Sequence, residues 1–341
     1  MQRQSDRLDI SSERSSYIGQ VMDVKNYRVR DWGAILALIV LMAFFTAAGS
    51  NFASLNNLQA LVESSAIPVI AVIGITFVML QGSIDLSVEG VASLACIVTS
   101  LFVANSVTSS HNLGLALVVA LGSGLLLGLI NGLMYSKLKI PSLIVTLGMW
   151  FVARGAATYL FPSRQPQILD PMLMSVALDK HFGLSGIVYV AIVLLIIAYF
   201  IQSKTRIGRL SYGIGGDEAL CRLAGLRVDR IKIAVFVMSG FLSSLCGVLL
   251  TAQLGVGNPR GGDGLLFPSI SAAVIGGTLL SGGKGGVFQS VVGVLILSVI
   301  RNGLQQIGVD PLLTQVVEGA TIVVAVVAGS WHMRTKLRVA K

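Results

Sequence analysis

The 341-residue chain is 54% hydrophobic and only 12% charged, with a mean hydropathy of +0.81. A soluble globular domain carries about 25% charged residues, so this composition excludes one and points to a single polytopic membrane domain. The net charge of +9 would suit a nucleic-acid partner, but its distribution along the chain belongs to membrane topology instead.

Residues 1–31 are polar and Ser-rich and hold six basic residues. That composition suits a mobile cytoplasmic tail and lacks the pattern of a cleavable signal, so the first apolar run reads as an uncleaved anchor. Apolar runs follow at 33–49, 66–81, 87–104, 113–135, 141–161, 186–202, 231–254, 265–281, 286–304 and 312–329. A membrane-spanning helix takes roughly 17–25 residues, so the expected fold is an all-α polytopic membrane protein with about ten transmembrane helices. The runs at 66–81 and 265–281 are short and rich in helix breakers, which leaves eight or nine spans plus re-entrant segments as the alternative count. The chain thus divides into a polar tail (1–31), a transmembrane domain (32–330) and a basic C-terminus (331–341).

With ten spans both ends share one side of the membrane with the connections 82–86, 136–140, 203–230 and 282–285. That side collects 20 of the 25 Lys+Arg, so the positive-inside rule sets both termini in the cytoplasm. A weak internal repeat accompanies this topology. Asn131-Gly132-Leu133 followed by Pro141-Ser142-Leu143 recurs as Asn302-Gly303-Leu304 followed by Pro311-Leu312-Leu313. Five spans separate the copies, so spans two to five and seven to ten form an inverted-topology repeat. The breaks Gly82-Ser83-Ile84-Asp85 and Gly261-Gly262-Asp263-Gly264 occupy matching places in it.

The connection 203–230 is a polar island. From Lys204 to Lys232 it gathers seven of the 25 Lys+Arg and three of the 16 Asp+Glu. Gly215-Gly216 reads as a break in the chain, and Asp217 and Glu218 place negative charge at a helix start. Arg222 falls toward the end of that helix, and Gly225 is a natural stop. A helix of roughly eight residues is unstable alone in water and needs a dock. Its apolar Ala219, Leu220, Leu223 and Ala224, flanked by charge, describe a segment pressed into a groove on another protein.

The chain offers no energy source of its own. A phosphate-binding loop needs Gly, four residues, then Gly-Lys-Ser/Thr, whereas Gly283-Lys284 is followed by Gly285. Cys96, Cys221, Cys246, His111, His181 and His332 are too scattered for a disulfide framework or a metal site. Use of an ion gradient would require ionisable groups at membrane depth. The candidates are Glu89, Arg154 and Glu318, each as readily a group facing a wet cavity, and a gradient-driven secondary carrier stands as the alternative to a partner-driven machine. The polar groups at span breaks, Asp85, Asn131, Thr146, Gln253 and Asn302, together with Arg154, are candidates for lining a translocation pathway, and helix packing is the competing role for each.

Several stretches resemble one family in order. Gly82-Ser83-Ile84-Asp85-Leu86-Ser87-Val88, Asn131-Gly132-Leu133 with Pro141 to Gly148 and Arg154-Gly155, Thr205 to Arg209, Gly215 to Gly225, and Ala272 to Gly285 are similar to segments of the permease subunits of bacterial ABC importers for ribose, autoinducer-2 and related carbohydrates, within the wider branched-chain amino acid and monosaccharide permease superfamily. The resemblance covers about residues 35–330. It implies a multi-pass permease of the bacterial inner membrane that catalyses no chemistry and carries a monosaccharide or similar small polar solute. It implies as partners a cytoplasmic ATPase pair that binds the ATP and magnesium, a periplasmic sugar-binding protein, and a second permease copy, identical or a sister. The polar island is then the coupling segment, with Gly208, Tyr212, Gly215, Gly216, Asp217, Glu218, Ala219, Arg222 and Gly225 as its working residues. Two departures from the family pattern stand near the expected pathway: Glu89 replaces a usual glycine, and Leu266-Phe267-Pro268-Ser269 replaces a stretch that often carries an acidic residue.

Overall fold

The computed structural model describes residues 25–330 except Ser50 and Ser109. The first 24 residues of the expected tail and the basic C-terminus 331–341 lie outside the described residues. Among the described residues the regular structure is helical apart from one two-stranded hairpin and two isolated β-bridges. Its helices are α1 (Lys25–Ala48), α2 (Leu55–Leu80), α3 (Val88–Phe102), α4 (Leu113–Ser136), α5 (Ser142–Leu160), α6 (Pro171–Leu178), α7 (Gly186–Lys204), α8 (Arg206–Gly216), α9 (Glu218–Leu223), α10 (Val228–Leu254), α11 (Leu266–Ile275), α12 (Val287–Gln306) and α13 (Pro311–Ser330), with β1 (Lys180–His181) and β2 (Leu184–Ser185) between α6 and α7.

Each of the ten apolar runs falls on a helix. Six of these, α2, α4, α5, α7, α10 and α12, are long and apolar enough to cross a membrane. Two runs depart from expectation. The short run at 66–81 is the second part of a 26-residue helix that begins at Ser54, whose side chain caps Asn57 N. The polar Asn56, Asn57 and Gln59 hide that start from a hydropathy reading. The run at 265–281 holds only the ten residues of α11, about 15 Å at 1.5 Å per residue, half of the roughly 30 Å hydrocarbon core. Beyond Gly276 the chain turns through Gly277, Gly282, Gly283 and Gly285, all at positive φ. The α6 helix was not expected, although Asp170-Pro171 announces it: Asp170 accepts from Leu173 N, and proline takes the first helical position.

Burial sorts the helices into two layers. The most apolar stretch of α2 is 78% buried, against 22% for α7. Helices α2, α3 and α10 form the centre, and α3 is buried from Val88 to Ser100. Helices α4, α5 and α7 turn exposed apolar side chains such as Leu126, Phe151, Ile196 and Phe200 outward, as a lipid-facing layer does. Helix α10 packs on α4, α3 and α2, while α2 packs on α12, α11 and α10.

The α4–α10 contact is a near approach of two backbones. A Cβ at Gly124 would stand 2.4 Å from Gly240 O, one at Gly128 2.4 Å from Phe236 O, and one at Gly132 2.8 Å from Ile233 Cα. Only small residues permit this spacing. Gly128→Leu is therefore expected to force the helices apart and to cost at least about 1–3 kcal/mol, read as a lowered thermal midpoint of the detergent-solubilised protein. Gly122→Ala, which meets nothing within 4 Å, should leave that midpoint unchanged.

Candidate functional site

The polar island folds as two helices, where the sequence suggested one. Thr205 caps α8 by accepting from Gly208 N, and a Cβ at Gly208 would lie 2.1 Å from Gln202 O, so the start of α8 packs hard against α7. Gly215 and Gly216, expected to break the chain, are the last turn of α8. The turn falls instead at Asp217, which is extended and accepts from Leu220 N at 2.9 Å to cap α9. Gly225 ends α9 in the left-handed conformation at φ +75°, as expected. Tyr212 reaches from α8 to donate to Gly285 O at 2.6 Å and to accept from Gln202 Nε2.

Gly215 is the point of closest approach to the membrane helices. A Cβ there would meet Leu80 O at 2.0 Å and Gly283 N at 2.4 Å, and one at Gly282 would meet Gly82 N at 2.5 Å and Gly215 Cα at 2.8 Å. Gly283 N donates to Leu80 O at 2.9 Å. The end of α8 thus rests, backbone to backbone, on the breaks that follow α2 and α11. Gly216 has open space around it.

The charges of α9 are engaged within the chain. Glu218 accepts from Arg222 Nε and Nη2 and, at 2.6 Å, from Lys232 Nζ; Arg222 also donates to Asp229, which pairs with Lys137. Burial alone would raise the Glu218 carboxyl, but the Lys232 ammonium and then the Arg222 guanidinium outweigh it and hold the group below its usual range. Its contribution to docking α9 is therefore complete above the ordinary glutamate pKa and is lost as pH falls through the lowered one. Lys232 is the residue the sequence reading missed, being counted there only as a topology signal. Its side chain is 6% exposed and its Nζ lies 4.3 Å from the centre of the Tyr135 ring. With these charges paired inward, α9 presents Leu220 (63% exposed) and Leu223 (85%) to the outside, beside exposed Ala219 and Ala224.

Three of the pathway candidates come together at the break before α3. Asp85 Oδ1 accepts from Ser87 N at 2.9 Å and Ser87 Oγ at 2.6 Å, and its Oδ2 accepts from Ser239 Oγ of α10 at 2.7 Å. Asn131 Nδ2 donates to Ser87 Oγ. Thr146 Oγ1 accepts from Leu86 N, and Ser142 Oγ from Ile84 N. Asp85, Asn131 and Thr146 are all buried; Asp85 and Thr146 accept from backbone N–H groups of this break, and Asn131 holds the Ser87 hydroxyl. Arg154 lies elsewhere, donating from Nη1 and Nη2 to the two carboxylate oxygens of Asp263 and close to the Trp150 ring. Gln253 is exposed in the last turn of α10. Glu89 is buried and accepts from Gly264 N and Leu266 N, both at 3.0 Å, at the start of α11.

Asn302 lies at the far end of α12. It exchanges two hydrogen bonds with Asn57 of α2 and lines a cavity of about 380 Å³ between α2, α11, α12 and α13. Arg301 and Glu318, also in its wall, form a two-bond ion pair at 2.6 and 2.8 Å. Among the described residues no group of His, Cys, Asp and Glu could hold a metal ion.

Buried short helices, breaks sealed by side chains and an apolar outer layer define a multi-pass membrane protein. The family model for the permease component of branched-chain amino acid transport systems matches residues 57–326, and the chain belongs to that family. It is 32% identical to the ribose import permease protein of Escherichia coli (strain K12) over 90% of this chain and 97% of that one. It is 32% identical to the L-arabinose transport system permease protein of the same strain over 90% and 93%, and 30% identical to the fructose import permease protein of Rhizobium meliloti over 87% and 84%. No solved structure matches the chain. Membership makes it a non-catalytic permease component and implies a separate ATPase and a substrate-binding protein as partners.

Thr146→Val keeps the side-chain shape and strips Leu86 N of its acceptor. It is expected to destabilise by about 1–3 kcal/mol, measured by thermal or denaturant unfolding in detergent, with Ser239→Ala milder because Asp85 keeps its two bonds from Ser87.

Proposed function

We propose that this chain is the membrane-spanning permease subunit of an ABC importer of the bacterial inner membrane, carrying a monosaccharide or similar small polar solute. The names of the ribose, L-arabinose and fructose relatives support the substrate class. The carrying observation is α9, a six-residue helix whose charges are consumed in fixing it to α10 while Leu220 and Leu223 stand exposed. A helix so short and so apolar on its outer face is stabilised by a groove on a partner. That partner is the cytoplasmic ATPase, which binds the ATP and magnesium. Asp217, Glu218, Arg222 and Gly225 shape the docked segment, Gly208, Tyr212 and Gly215 fasten it to the bundle, and Ala219 with the two leucines enters the groove.

In this reading the chain crosses the membrane ten times, the eighth crossing being made by α11 together with the turns that follow it, with both termini in the cytoplasm, and a second permease copy, identical or a sister, completes the pathway beneath a periplasmic sugar-binding protein. The inverted repeat draws support from exchanged packing: span seven (α10) lies on spans three and four (α3, α4), and span two (α2) on spans eight and nine (α11, α12). Of the pathway candidates Asn302 lines a cavity, whereas Asp85, Asn131, Thr146 and Arg154 act by holding the broken segments in place.

Leu223→Asp should abolish co-purification of the ATPase and lower uptake of ribose, arabinose or fructose by at least about tenfold, the size of a lost interface anchor, with membrane insertion unchanged. Glu218→Lys, which sets three cations together, should do the same. Uptake that survives both changes and collapses with the proton gradient would overturn the reading in favour of a secondary carrier.

A further inference from the structure

The cavity at the far end of α12 has the composition of a solute site, and we infer that it receives a neutral polyhydroxylated solute of monosaccharide size. This deepens the functional reading above and rests on it.

The position is fixed by the chain itself. The α8–α9 segment touches the ends of α2 and the start of α12, at Leu80, Gly285 and Val287 through Gln202. Arg301 and Asn302 lie fourteen and fifteen residues further along α12, about 21 Å away at 1.5 Å per residue, so the cavity occupies the end of the bundle remote from the ATPase-binding segment. A solute delivered from outside meets this end first.

Its volume of about 380 Å³ falls within the roughly 300–1,000 Å³ of small-molecule sites. One polar side chain of its wall lacks a partner: Ser269 is 1% exposed, and its Oγ has no hydrogen-bond partner among the described residues. Leaving a buried polar group unpaired is costly, and a ligand hydroxyl would relieve it.

The remaining polar wall also suits hydroxyls. Arg301 and Glu318 neutralise each other, so no net charge invites an ionic ligand, yet the pair keeps free lone pairs on Glu318 and free N–H groups on Arg301. Asn302 and Gln305 add amides. The opposite wall, Pro68, Pro268, Val294 and Leu297, offers C–H surface to the apolar face of a sugar ring. Mixed walls of this kind fit a polyol better than a lipid tail or an ion.

The test uses the complete importer in proteoliposomes, with its ATPase and binding protein, and D-ribose, L-arabinose and D-fructose as probes. Ser269→Leu, which adds bulk to the cavity wall, should lower the maximal uptake rate at least about tenfold, while the half-saturating concentration, set by the binding protein, and ATPase co-purification stay unchanged. Ser269→Ala should lower the rate about three- to tenfold, one hydrogen bond's worth. In parallel, Ser298→Cys should react with a small hydrophilic maleimide and be protected by millimolar transported sugar. Unchanged uptake in Ser269→Leu, or labelling of Ser298→Cys that is equal with and without all three sugars, would overturn the cavity proposal alone. Should the unaltered chain retain no ATPase and import no sugar, the functional reading falls and takes the cavity with it. Loss of the folded Ser269→Leu protein is told apart by Ser269→Ala and by the labelling, neither of which adds volume.

Discussion

The constraint on which this structure depends is that a helix interrupted inside a bilayer must have its exposed amides and carbonyls satisfied by the protein itself. The break between α2 and α3 meets it with Ser142 and Thr146 of α5, which accept from Ile84 N and Leu86 N, while Asn131 of α4 and Ser239 of α10 hold the Ser87 and Asp85 side chains in place. Asp85 is the hub, serving Ser87 on its own segment and Ser239 across the core. Because those partners are spread over α4, α5 and α10, satisfying one short stretch of backbone also fixes where α3 lies. The buried α3 and the glycine-lined α4–α10 contact both follow from that placement.

The same break is where the polar α8–α9 segment touches the long helices. Ser83 donates to the Tyr135 hydroxyl, Lys232 lies over the Tyr135 ring, and Lys232 grips Glu218 of α9. A second route runs through backbone alone, from Gly215 to Leu80, Gly82 and Gly282. Close-packed backbone transmits a displacement instead of absorbing it. In the proposed mechanism, force on α9 would reach the break before α3 and the break after α11 together, one from each half of the proposed repeat.

The legible part of the fold was whatever rests on local pattern. Ten apolar runs became ten helices, and Asp217, Arg222 and Gly225 took the cap, late-turn and stop positions their chemistry dictates. What escaped depends on contacts between distant residues. Gly215-Gly216 reads as a breaker because glycine usually is one, yet here Gly215 is required by a backbone 2.0 Å from where its Cβ would be, and nothing in the local sequence records that neighbour. Lys232 reads as a topology charge because its burial against Tyr135, 97 residues earlier, is invisible to a window. The polar residues at the breaks stand out in the sequence, but whether Asp85, Asn131 and Thr146 face a passage or each other depends on helices that no local window relates.

The two departures from the family pattern acquire a common meaning in space. Glu89 and Leu266-Phe267-Pro268-Ser269, which the sequence resemblance set apart, meet in the structure, where the Glu89 side chain receives Gly264 N and Leu266 N at the start of α11. An acceptor at that helix start is therefore supplied from α3 and not from α11 itself, where negative charge is favourable in either case. Gly262 N on Ser93 and the Arg154–Asp263 pair fasten the preceding loop to α3 and α5. One side of α11 is thus tied to the first half of the chain, and its other side, with Pro268, Ser269 and Ala272, forms a wall of the cavity. In the proposed reading a shift of α3 against α10 would be carried by Glu89 into α11 and would change the cavity's width, so this ten-residue helix is placed to connect the break before α3 with the proposed solute cavity.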